Sequence, residues 1–131
     1  MFKIARKTQD RFSETLKRYQ NIANSQKSRD ISEADTVTLV KDILADVFGY
    51  DKYGELTSEQ QIRGTFCDLA VKLDNKIVLL VEVKAAGIEL NDGHLRQAVN
   101  YGAHEGIEWI MLTNSLEWRL YRIKFGQPID F

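Results

Sequence analysis

The spacing of apolar positions changes along the chain, and each change marks an element. From residue 3 to 27 there is no helix breaker, and Phe12, Leu16, Tyr19 and Ile22–Ala23 recur at helical spacing, which predicts one long helix. Ser32 reads as an N-cap with Asp35 three residues on. Val37, Val40, Ile43, Leu44, Val47 and Phe48 then form the apolar stripe of a second helix over about 33–48, with Gly49 as its stop. After that the period falls to two. Residues 57–63 read as a modest strand, and 65–73 alternate clearly. Residues 77–83 are an almost unbroken Ile/Val/Leu run, the mark of a strand buried on both faces. Asp74-Asn75 between the last two predicts a tight hairpin turn. Asn91-Asp92-Gly93 opens a helix of about 93–104, and 108–113 and 118–123 are strands joined through Asn114-Ser115. The order α-α-β-β-β-α-β-β has hairpin spacings early and a helical crossover later. It predicts an α/β fold, a mixed sheet flanked by helices.

The 131 residues suit one domain over 1–131, and the 44% apolar fraction is enough for a core. The lone proline, Pro128, and the lack of Ser/Gly-rich stretches argue against an internal linker. No run approaches the ~20 apolar residues that span a bilayer, so no membrane partner is expected. Met1 to Lys7 have no apolar run behind their charges, unlike a secretory leader. With a single cysteine, Cys67, that points to the cytoplasm. Net charge is −1, but it is unevenly spread: residues 1–29 carry eight Lys or Arg against Asp10 and Glu14, leaving the remainder at −7. Such a segment is either a basic arm on phosphates or a solvated basic helix face, and charge alone does not choose.

Candidate chemistry begins with Glu82, which interrupts the most hydrophobic strand, with Lys84 two residues on and therefore on the same face. A carboxylate in apolar surroundings is costly unless paired or metal-bound. Asp68 lies in the preceding strand between apolar neighbours, where Asp is depleted. The turn near the midpoint between Asp68 and Glu82 should bring the two acids together at the far end of the hairpin. Adjacent carboxylates repel, and a divalent cation removes the repulsion. Oxygen donors without Cys/His clusters point to a hard ion, Mg²⁺ or Mn²⁺. Glu33 stands at the inner end of the second helix's stripe, where it is either a site residue or an acid answering the helix dipole. Gln97 and Tyr101 share one face of the later helix. The structural alternative is a Glu82–Lys84 ion pair with Asp68 as a turn acid. Cys67, Trp109 and Trp118 read as core, and His94 and His104 as surface or helix-packing residues.

Asp68 followed by Glu82-Val83-Lys84 resembles the PD-(D/E)xK nuclease superfamily, and Gln97-Ala98-Val99-Asn100-Tyr101 resembles the QxxxY motif of its RecB-like branch. Within it, residues 30–125 look like the N-terminal nuclease domain of the restriction subunit of type I restriction enzymes, where a helical acid like Glu33 precedes the strands. Cys67 stands where the motif has proline, and the helicase motor of those enzymes has no counterpart in the sequence. The resemblance implies a restriction-endonuclease-like core over 30–125, preceded by a basic helix over 1–29. It implies Mg²⁺-dependent DNA cleavage, with Mn²⁺ able to substitute. Asp68, Glu82 and the Val83 carbonyl would hold the metal, and Glu33 would contribute through a water or a second metal. Lys84 would orient the attacking water or stabilise the transition state, and Gln97 and Tyr101 would position Lys84 and the nucleic-acid backbone. Lys3, Arg6, Lys7 and Arg11 would touch DNA. A homodimer or a larger restriction complex is the assembly implied. The alternative is a catalytically silent DNA-binding or assembly domain of such a complex.

Overall fold

The elements form in the order that the periodicity predicts. They are α1 (Arg6–Ser28), α2 (Glu33–Asp46), β1 (Leu56–Ile62), β2 (Thr65–Leu73), β3 (Lys76–Val83), a 3-10 turn (Asp92–Leu95), α3 (Arg96–Glu105), β4 (Trp109–Thr113) and β5 (Trp118–Arg122). The structure, a computed structural model, describes residues 6–62 and 65–124. Lys3 lies outside the described residues, and Arg6, Lys7 and Arg11 are described as backbone of α1 alone. Among the described residues, no helix is long and apolar enough to cross a membrane.

Local chemistry accounts for the boundaries. The Ser32 hydroxyl accepts the Asp35 N–H at 3.4 Å and caps α2. Asp74 and Asn75 both have positive φ, 52° and 63°, as a two-residue hairpin turn of the right twist requires. Gly106 ends α3 at φ 80°. One boundary differs from expectation. The segment predicted as a helix from residue 93 begins as a 3-10 turn, and the α-helix starts at Arg96. The cause is a local cap, in which Asn91 and His94 bond each other's side chains and backbone.

The five strands form one sheet in the order β1-β2-β3-β4-β5. All neighbours are antiparallel except β3 and β4, whose parallel pairing follows from the crossover through α3. β3 is therefore central and covered on both faces, as its composition requires. One face packs Val40 and Leu44 of α2 on Leu69, Val71, Leu79, Val81 and Val83. The other packs Ala98 and Val99 of α3 on Ala70, Leu80, Ile110 and Leu112. α1 lies on α2 through Tyr19 and Ala23, which meet Leu39 and Ile43, and the Tyr19 hydroxyl donates to Asp46. The two tryptophans divide. Trp118 packs beneath the helices, while Trp109 is 37% exposed under the Arg122 guanidinium, contrary to its expected core role. Its place as the first residue of β4, at the strand's end, explains this.

Gly102 lets α3 approach the sheet. A Cβ there would stand 2.8 Å from Ile123 Cδ1 and 3.0 Å from the Ile107 carbonyl oxygen. Gly102→Ala should therefore destabilise the protein, although alanine normally gains about 1 kcal/mol in a helix. Overpacking costs about 1–3 kcal/mol, so a lowered urea midpoint is expected, and a raised one would refute the close approach.

Candidate functional site

The hairpin that carries both acids slips by one residue. Leaving the turn, Leu73 pairs with Lys76 and Lys72 with Ile77; beyond a β-bulge between Val71 and Lys72, Val71 pairs with Leu79 and Leu69 with Val81. Asp68 follows at the end of this pairing, and its carboxylate lies close enough to Glu82 to push that group's pKa up.

Past the Leu69–Val81 pair, β2 keeps its register with β1, while its pairing with β3 ends. The Asp68 side chain fills the gap. Its Oδ2 accepts the Val83 N–H at 2.8 Å, a bond that a regular ladder would assign to the β2 backbone. In extended backbone the N–H and C=O of one residue point the same way, so the Val83 carbonyl also faces this side. The Lys84 N–H points the other way and donates to the Thr113 carbonyl at 2.9 Å.

Glu82 is half-buried, and its carboxyl is pushed up from 4.5 to about 7. Desolvation is the main cause and the Asp68 charge the second; the Cys67 thiol and Lys84 act in the opposite direction. Cys67 is fully buried as expected, but it also belongs to this site: its thiol lies beside Glu82 and within 3.3 Å of the Val81 carbonyl oxygen. Burial and the two acids push that thiol far up, so it stays protonated. Composition alone carried no sign of that second role.

Lys84 reaches Glu33, with Nζ 3.7 Å from Oε1. Glu33 is about half exposed, so it sits at the mouth of the site rather than inside it. The N-terminus of α2 is held there by Thr36, which is wholly buried and accepts the Ala86 N–H at 3.3 Å. Glu33, Asp68, Glu82 and Lys84 are thus brought together at the end of β3 away from the turn. Gln97 and Tyr101 are placed differently. Gln97 is exposed on α3, and Tyr101 packs on the core and lines a cleft with Asn75–Val78 and Gly106–Trp109, towards the turn end of β3. Seven residues of extended chain separate Ile77 from Lys84, roughly 20 Å at ~3.3 Å each.

The donor set is all oxygen. Among the described residues, no group of three or more His, Cys, Asp or Glu converges on one point in a way that could hold a metal ion. Mg²⁺ commonly takes only one or two carboxylates and completes its shell with water, so the Asp68–Glu82 pair fits that ion's habits and not those of zinc.

Comparison with known proteins bears on this arrangement. No curated protein and no solved structure matches the chain significantly. Residues 38–128 match the family described as the type I restriction enzyme R protein N terminus (HSDR_N). The matched span is well over half of the chain and contains Asp68, Glu82, Lys84, Gln97 and Tyr101, with Glu33 just before it. The chain belongs to the family of type I restriction enzyme R protein N termini.

Proposed function

We propose that this domain is a Mg²⁺-dependent DNA endonuclease of the PD-(D/E)xK kind, serving restriction. The observation that carries the reading is the Asp68–Glu82 pair, two carboxylates close enough at a strand end for one to raise the pKa of the other, with Lys84 near them. Burial and mutual repulsion make that pair unfavourable by itself, as the raised Glu82 shows, and a bound cation offsets both costs.

Asp68 and Glu82 would hold the ion, with the Val83 carbonyl as a third oxygen. When bound, Mg²⁺ supplies a water of lowered pKa and offsets charge developing on the phosphate. The protein's own residues do the rest. Asp68 fixes Val83 through the bond to its N–H, which keeps the carbonyl aimed at the site. The Lys84 ammonium would stabilise the additional negative charge of the transition state. Glu33 holds that ammonium at the mouth in the absence of substrate, and a phosphate arriving there replaces Glu33 as its partner. Gln97, exposed at the start of α3, would contact the nucleic-acid backbone. Tyr101 supports that helix rather than touching Lys84. The basic residues Lys3, Arg6, Lys7 and Arg11 would contact DNA phosphates. The family's name implies assembly into a larger restriction complex, and pairing of two such domains would let one site per chain cut both strands.

The test is incubation of supercoiled and linear DNA with Mg²⁺ or Mn²⁺, beside Ca²⁺. Nicking or linearisation that depends on Mg²⁺ or Mn²⁺ is expected. DNA bound without cleavage in any of the metals would replace this reading with a silent binding or assembly domain.

A further inference from the structure

The segment after Lys84 has neither helix nor strand until Asp92, and Gly87, Ile88 and Glu89 within it are exposed. The polar backbone groups of such a loop ordinarily turn to water. Here every second residue is tied to another element. The Lys84 N–H donates to the Thr113 carbonyl at 2.9 Å, and the Ala86 N–H to the Thr36 hydroxyl at 3.3 Å. The Ile88 carbonyl accepts from Asn114 Nδ2 at 2.8 Å, and the Leu90 carbonyl from Arg119 Nη2 at 3.3 Å. Two of the four ties are side chains of the β4–β5 hairpin, where the sequence marked Asn114 only as a turn residue.

Asn114 is built for the task. It is buried, and its Oδ1 accepts the N–H groups of Leu116 at 3.0 Å and Glu117 at 2.8 Å, which shapes the hairpin turn. Its amide nitrogen is left to reach across to Ile88. Only an amide side chain offers acceptor and donor at once in this geometry. Arg119 is oriented in the same manner. Its Nε bonds Glu117 at 3.1 Å and its Nη1 lies 3.6 Å from Asp92, so the fork is fixed and the remaining edge meets Leu90.

We propose that Asn114 and Arg119 are positioning residues for Lys84: through the Ile88 and Leu90 carbonyls they hold the segment 84–91 against the β4–β5 hairpin and so set where the Lys84 ammonium stands beside Glu33 and Glu82. A lysine stem has many rotamers, and its head is placed reproducibly only if the backbone that carries it is fixed. The consequence for cleavage rests on the nuclease reading above; the clamp itself does not.

Asn114→Asp separates the clamp from the fold. The carboxylate keeps an acceptor for the turn and nearly the same volume, but it sets an oxygen against the Ile88 carbonyl where the donor was. Arg119→Lys is the second variant, since it keeps a cation between Asp92 and Glu117 while losing the planar fork that also reaches Leu90. The readouts are amide hydrogen exchange over 84–91, reagent labelling of the Lys84 amine relative to the other lysines, the unfolding midpoint, and kcat and KM for plasmid DNA with Mg²⁺. In at least one folded variant, exchange over 84–91 should rise roughly tenfold, as expected for one lost hydrogen bond in a local opening. Lys84 labelling should rise with it while the other lysines stay put, the unfolding free energy should fall by no more than the ~1.4 kcal/mol that a tenfold change represents, and kcat should fall about tenfold or more with KM little changed. Unchanged exchange and unchanged Lys84 labelling in both variants overturn the proposal. A wild-type protein that fails to cut, with loop and labelling effects as described, overturns the nuclease reading and leaves the clamp standing.

Discussion

Lys84→Ala should lower the rate constant for DNA cleavage about 10²–10³-fold, the range for losing one preorganised charge-stabilising group at a transition state. Mg²⁺ affinity should stay within a few fold of wild type, since the ammonium donates no electron pair to a metal and its removal leaves Asp68 and Glu82 in place. The fold should be unaffected, because the Lys84–Glu33 pair is partly exposed and such pairs contribute little. Asp68→Asn should separate the two roles from the other side. The amide oxygen still accepts the Val83 N–H, so the strand end is preserved, but the charge that attracts a cation is gone. Mg²⁺ binding by calorimetry should weaken strongly, and cleavage should be lost with it. Full activity in Lys84→Ala would remove the central residue of the reading. Normal Mg²⁺ binding by Asp68→Asn would move the metal elsewhere.

The site was legible only in part, and the hairpin shows why. Glu82 stands out because every neighbour in its strand is apolar, and period-two spacing places Lys84 on the same side. That Asp68 lies near Glu82 follows from the turn at Asp74-Asn75. The register of the hairpin does not, because it depends on the bulge between Val71 and Lys72, and neither residue is a glycine or proline that would announce one. Glu33 reaches Lys84 because a buried threonine, Thr36, anchors α2 to the loop beyond β3, fifty residues away. No local pattern carries that information. The Gln97/Tyr101 spacing correctly places both on one helix, but it does not say where along β3 the helix lies. The crossover sets Tyr101 towards the turn end of the strand, opposite the acids. The elements themselves were legible because capping, turn chemistry and apolar period agree in nearly all of them. The 3-10 turn at Asp92 escaped because its cap depends on a His94–Asn91 bond.

Without divalent metal, the protein should lose stability as pH rises from about 4.5 to 7, against the usual trend for carboxylates. The sign follows from Glu82. Its carboxyl is raised from 4.5 to about 7 on folding, so between those values the native state holds a proton that the unfolded state has released. Stability changes with pH in proportion to protons bound unfolded minus native, and here that difference is negative. The penalty is absent below pH 4.5, grows through the interval and levels off above pH 7, where it reaches about 3 kcal/mol at ~1.4 kcal/mol per pKa unit. Glu82→Gln removes the titrating group while keeping its shape. In urea titrations with chelator, the variant should be the more stable protein at pH 8, and its advantage should vanish near pH 4.5. Adding Mg²⁺ at pH 8 should stabilise wild type and leave the variant nearly unmoved, because only wild type then offers two charged carboxylates to the ion. Equal stabilisation of both proteins by Mg²⁺ would mean that the ion binds away from Glu82. A wild-type curve that rises with pH across 4.5 to 7, parallel to the variant, would mean that the strand end opens enough to hydrate this carboxylate. The raised Glu82 and the need for a counter-cation that rests on it would then both fall.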